Sequence, residues 1–195
     1  VEIRKGAKGG AYVKQIDVGT VSESLALFLK QQHIGAGHIA EFRESIDRVI
    51  TVLAIARSGT AEKQELVIET RKLIELASQT PPDREQLAKL DRQLNLRLAK
   101  MSRNPVFEWI MDAIQHGFSS HDYALYEDQD YRTRTAANWH ETALRIAEND
   151  PIKAQNSISA HYGLLQSCVS KKAKEKIHHN EAEQIATGNI LQSKE

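Results

Sequence analysis

Cysteine is almost absent from this chain. Cys168 is the one thiol in 195 residues, which excludes an internal disulfide framework and fits a reducing compartment. An excess of one charge is missing too. Lys and Arg number 26 and so do Asp and Glu, so no global field gathers nucleic acid, though a local basic patch remains compatible. No apolar run reaches the ~20 residues a membrane helix needs, and no signal-peptide pattern opens the chain. There is no repeat with a period of about 20–50 residues. No GxSxG elbow, Walker loop or GxGxxG fingerprint occurs. The sequence starts at Val1 without a Met, in mid-element; an N-terminal portion is expected to be missing. What is present is an ordinary soluble composition, 41% hydrophobic and 27% charged, long enough for one domain with a sizeable core.

The first residues differ from the rest. VEIRK alternates apolar and charged residues, GAKGG supplies turn glycines, and AYVK resumes an extended pattern. Alternation around a Gly-rich turn predicts a short β-hairpin, with Arg4, Lys5 and Lys8 on its arms and tip. Alone such a pair is marginal in water and must dock on something. From the Thr20–Ser22–Glu23 cap region onward the pattern is helical. Ile39, Phe42, Ile46, Ile50 and Leu53 recur near 3.6 spacing until Gly59. Thr60, Asp83, Asn104-Pro105 and Asp150-Pro151 mark further helix starts, and Pro81-Pro82 a break. HDYALYEDQD reads as a kink or loop. The expectation is all-α: an antiparallel bundle of about six or seven helices over 21–178, after residues 1–14 and a linker at 15–20. A polar tail without a clear apolar stripe, 179–195, should pack weakly.

Four polar side chains sit in apolar helical patterns: Asp91 and Asn95 in EQLAKLDRQLNLRLAKM, His140 in RTAANWHETALRIA, and His161 in AQNSISAHYGLL. Asp91 and Asn95, four residues apart, share a face beside the stripe of Leu87, Leu90, Leu94 and Leu98. A single helical histidine is most often solvated or hydrogen-bonded, with no ligand role. As a set, oxygen and imidazole donors on three helices resemble what a divalent cation needs inside a bundle, and a buried carboxylate is costly without partners. Other patterns are weaker. HETAL lacks the second His of HExxH, Glu175-x-x-His178 lacks its twin, and Cys168 reads as a core thiol. Arg43, one residue after an apolar stripe position, either grips a ligand carboxylate through parallel hydrogen bonds or pairs with Asp47 at the surface.

These pieces resemble a known family. VEIRKGAKGGAYV is similar to the β-wing that closes the winged helix-turn-helix domain of GntR-superfamily regulators. The helical remainder resembles the FCD effector domain of their FadR-like branch. LDRQLNLRLAKMSRNPVF is similar to the family's D-x-x-F-H…S-x-N-P block, and EFRESID to its E-x-R-x-x-x-E/D opening. The resemblance covers residues 1 to about 170. It implies a divalent metal (Zn, Ni, Mn or Mg) held by Asp91, His140 and His161, with Asn95 or a water as the fourth ligand at the position where the family usually has histidine. An amide oxygen is a harder, weaker donor than imidazole, which would favour Mn or Mg. The resemblance further implies a small carboxylate effector gripped by Arg43, and DNA contacted by Arg4, Lys5 and Lys8. It also implies a cytoplasmic homodimer, no membrane and no catalytic role. Two other classes stay open on the residues alone. One is a metal-dependent enzyme, which needs a general base beyond Asp91. The other is a structural helical module without a ligand.

Overall fold

The computed structural model describes residues 2–4, 10–12, 18–32 and 34–192; for 2–4, 10–12, 18, 30, 36, 116–122 and 176–192 it gives the backbone path alone. β1 (Glu2–Arg4) and β2 (Gly10–Tyr12) pair antiparallel, Ile3 opposite Ala11. The side chains of Arg4, Lys5 and Lys8 lie outside the described residues. Seven helices follow among those described: α1 (Val18–Gln31), α2 (Ala36–Arg57), α3 (Thr60–Ala77), α4 (Arg84–Met101), α5 (Pro105–Glu127), α6 (Gln129–Ala147) and α7 (Pro151–Gln192).

Local chemistry sets the boundaries. Asp83 caps α4, accepting the Gln86 N–H at 2.9 Å. Asn104 caps α5 through the Val106 N–H, with Pro105 at the first helical position, where its missing N–H costs nothing. α3 begins one residue earlier than a Thr60 cap requires. Gly59 is its N-cap, and Glu62 reaches back to the Gly59 N–H at 3.1 Å. α6 closes in a Schellman motif. The Asp150 and Asn149 N–H groups bond to the Arg145 and Ile146 carbonyls, with Asn149 left-handed at φ 60°.

One difference from the sequence reading stands out. HDYALYEDQD is no loop up to Glu127; α5 runs through it and stops only at Asp128. The break is a capping event, because the Asp128 side chain accepts the Asp130 and Tyr131 N–H groups to begin α6. The polar C-terminal stretch is part of α7, which runs to Gln192.

The core is one layer-spanning cluster of apolar side chains from α2 to α7, including Ile50, Leu66, Leu73, Leu87, Leu94, Leu98, Met111 and Ile146. α3 lies along α6, α4 along α5, α6 along α7, and α2 along α7 and α4. α1 packs on α5 at the edge. Between α1, α2 and α5 lies an apolar cleft of ≈ 380 Å³ lined by residues such as Leu29, Ile39, Phe42 and Ile110. The buried Lys63 joins the α2 end to the α6–α7 turn, donating to the Ile55 carbonyl at 2.7 Å and to Asn149 Oδ1 at 2.5 Å.

Candidate functional site

The inner face of α2 carries Ala40, Arg43, Asp47, Ile50, Thr51 and Ala54. That spacing keeps one face turned to α4 and α7 throughout. Three of these residues are polar or charged, and two are ionised types, so the face is no simple apolar stripe. Arg43 and Asp47 are 5% and 4% exposed. Their pairing exists, with Nη2 to Oδ2 at 3.4 Å, but in the interior and not at the surface.

α4 presents Asp91 and Asn95 to this face. Asn95 Oδ1 accepts from Arg43 Nη2 at 2.6 Å, and Asn95 Nδ2 donates to the Asp91 carbonyl at 3.0 Å. Asp91 Oδ1 accepts the indole N–H of Trp139 on α6. From α7, the Tyr162 hydroxyl donates to Asp47 Oδ2, and the Arg43 guanidinium lies 5.7 Å from the Tyr162 ring centroid. His161 meets the Trp139 ring edge-on at 6.0 Å and the Tyr162 ring at 5.4 Å. Three of the four expected residues, Asp91, Asn95 and His161, are thus joined through Trp139, Tyr162 and Arg43.

His140 stands beside them on α6 and leans toward α3, with Nδ1 3.0 Å from Thr70 Oγ1. Thr70 donates its one hydroxyl proton to the Val67 carbonyl at 2.9 Å. Its oxygen therefore accepts from His140, which places the imidazole proton on Nδ1 and a lone pair on Nε2. That is the arrangement a metal-ligating imidazole shows, its far nitrogen tied to a fixed partner. His140 is held below the ordinary imidazole pKa by burial first and by Arg71 second, with Glu141 opposing.

His161 is pushed down to about 3, by burial first and then by the neighbouring Arg43 charge. Both shifts favour the neutral imidazole, the form that binds metal. Burial raises Asp47 above the usual carboxylate value, against the opposing pull of Arg43 and Tyr162.

The donor types suit a divalent cation: a buried carboxylate and two imidazoles whose pKa shifts favour the neutral form. The observed rotamers are committed elsewhere, Asp91 Oδ1 to Trp139 and Asn95 Oδ1 to Arg43. Among the described residues, no three His, Cys, Asp or Glu groups converge where they could hold one ion.

The His161 shift carries a pH prediction. Its folded value lies below its ordinary 6.5, so between the two the unfolded chain binds the extra proton and stability falls as pH drops through 6.5. Asp47 works the other way. Its raised pKa adds stability at low pH that is lost as pH rises through its folded value. Comparing wild type with His161→Gln isolates the histidine. In chelated protein, moving from about pH 7.5 to about pH 5.5 should cost the wild type about 1.4 kcal/mol more than the variant. Denaturant melts at the two pH values read this directly. Equal losses would mean His161 is not buried as described.

A model of the FCD domain matches residues 38–164, from α2 into α7 and spanning every residue of the cluster. The chain belongs to the FCD-domain family. FCD domains are the ligand-binding regulatory part of GntR-superfamily transcriptional regulators of the FadR-like branch. No curated protein matches the chain. Among the described residues, no helix of this FCD domain is long and apolar enough to cross a membrane.

Thr70, Asp47, Trp139 and Tyr162 complete the cluster, and the sequence reading gave none of them a role in the site. Trp139 and Tyr162 are each adjacent to a candidate histidine and look like ordinary core aromatics. Their polar tips find partners 48 and 115 residues away, which no local pattern announces.

Proposed function

We propose that this FCD domain senses a small organic acid at the Arg43–Asp91–His161 cluster, with a divalent cation (Zn, Ni, Mn or Mg) held by Asp91, His140 and His161. Asn95 borders the same space. When bound, such an ion supplies open coordination positions that a carboxylate fills. Arg43 pairs with a second anionic group of the ligand. Trp139 fixes the Asp91 carboxylate, and Thr70 fixes the His140 ring. The observation that carries this reading is the contact of His140 Nδ1 with Thr70 Oγ1 at 3.0 Å, the Thr70 hydroxyl itself donating to the Val67 carbonyl.

The ligand acts by binding one arrangement of the helices better than another. α2 is suited to report it. Arg43 faces the cluster, while the adjacent Phe42 lines the cleft against α1, which leads back to β1 and β2. In this reading β1–β2 is the wing of a DNA-binding domain, Arg4, Lys5 and Lys8 meet DNA phosphates, and the protein works as a homodimer on two half-sites.

A thermal-shift screen against small carboxylates tests the reading. One acid should stabilise the protein, and the shift should vanish on chelation and in His140→Ala. Stabilisation by an acid that survives both treatments would point to direct binding without an ion. No stabilisation by any acid would favour a structural module. Turnover of the acid would favour a metal-dependent enzyme.

A further inference from the structure

Asn95 stands where a second α4 ligand is expected, yet both ends of its carboxamide are used. Nδ2 donates to the Asp91 carbonyl at 3.0 Å, one turn back, and this bond fixes the plane and sense of the amide. The oxygen then faces the Arg43 guanidinium at 2.6 Å. The assignment is forced, because Arg has only donors and a flipped amide would set donor against donor. The same Nη2 reaches Asp47, and the guanidinium lies over Tyr162.

Arg43 is therefore held by α4, by its own helix and by α7. An oxygen bonded this closely to a guanidinium is a poor donor to a divalent cation. A second positive centre on the same atom meets direct repulsion in a medium of low dielectric.

We infer that Asn95 is a positioning residue and not a metal donor: its amide oxygen aims Arg43 at the anionic ligand, leaving Asp91, His140 and His161 as the protein's donors. The donor half of this rests on the metal-assisted reading above; the Asn95–Arg43 half does not. A three-donor site leaves one more position for a ligand oxygen than a four-donor site. Ligand choice would then depend on both the ion and a fixed guanidinium.

Two measurements separate the halves. In chelated protein, Asn95→Ala and Arg43→Lys should each lower the melting temperature, and the double variant no further than the larger single effect. The Asn95 carboxamide 1H–15N resonances should also move in Arg43→Lys, a readout that persists if the double variant folds poorly. Additive melting shifts with unmoved resonances would overturn the coupling.

Titration with Mn2+ alone reads the donor set. Asn95→Ala should stay within about threefold of wild type, and Asn95→His should bind at least about tenfold tighter by adding an imidazole. A loss of about thirtyfold or more in Asn95→Ala would make Asn95 a donor and overturn the assignment. A wild type that takes up no Mn2+ sinks the metal-assisted reading instead, and the Asn95–Arg43 coupling is still decided by the first measurement.

Discussion

Asp91→Ala should abolish stabilisation of the protein by added Mn2+, with a fall in affinity on the order of 100-fold or more, since even residues that only orient a ligand are worth 10–100-fold. Wild type at about 100 times its dissociation constant should gain about 2.7 kcal/mol, a rise of roughly 5–10 °C in melting temperature for a chain of this size. At the same concentration the variant should gain about 0.4 kcal/mol or less.

The alanine also leaves the buried Trp139 indole N–H without its acceptor, which should cost about 1–3 kcal/mol in chelated protein. Asp91→Asn separates the two effects. It keeps an oxygen for the indole and removes the charge, so stability without metal should stay near wild type while the response to Mn2+ is lost. A Mn2+ response that survives in both variants would place the ion elsewhere.

The second large effect concerns the scaffold. Arg132 is 6% exposed, and it donates through Nε to the Ala77 carbonyl at 3.1 Å and through Nη1 to the Tyr126 carbonyl at 3.3 Å. These carbonyls lie in the last turns of α3 and α5, where the helical ladder offers no partner. One side chain on α6 thus closes two helix ends in the interior. Arg132→Met keeps most of the volume and removes both donors, at an expected cost of about 3 kcal/mol and roughly 6–12 °C in melting temperature. Arg132→Lys, with a single ammonium, should recover part of the loss. A cost under about 1 kcal/mol for the methionine variant would show that water reaches those carbonyls.

The helices of the bundle were legible in the sequence because their signals are local. Asp83, Asn104 and Pro105 act within one turn of their own positions, and the leucine stripe of α4 is a matter of spacing. The end of α5 was misread for the same reason. HDYALYEDQD is polar, but a polar segment stays helical when its apolar members, Leu125 and Tyr126, are fully buried.

The candidate site was half legible. Asp91, Asn95, His161 and Arg43 stand out as polar residues inside apolar patterns, and all four are buried. Their partners do not stand out. The Arg43–Asp47 pair has the spacing of a surface salt bridge, and only the packing of α2 against α4 and α7 makes it a buried one. Asn95 has the position of a ligand, but its oxygen faces Arg43, whose contact spans 52 residues of sequence. Thr70 decides the tautomer of His140 from 70 residues away.

Long-range 1H–15N correlation spectra of the histidine rings test the central claim most directly. At neutral pH the account predicts that His140 and His161 are both neutral, with His140 protonated at Nδ1. One equivalent of Zn2+ should then shift a ring nitrogen of each, at Nε2 in His140. His140 protonated at Nε2, or both rings unmoved by saturating Zn2+, would contradict it.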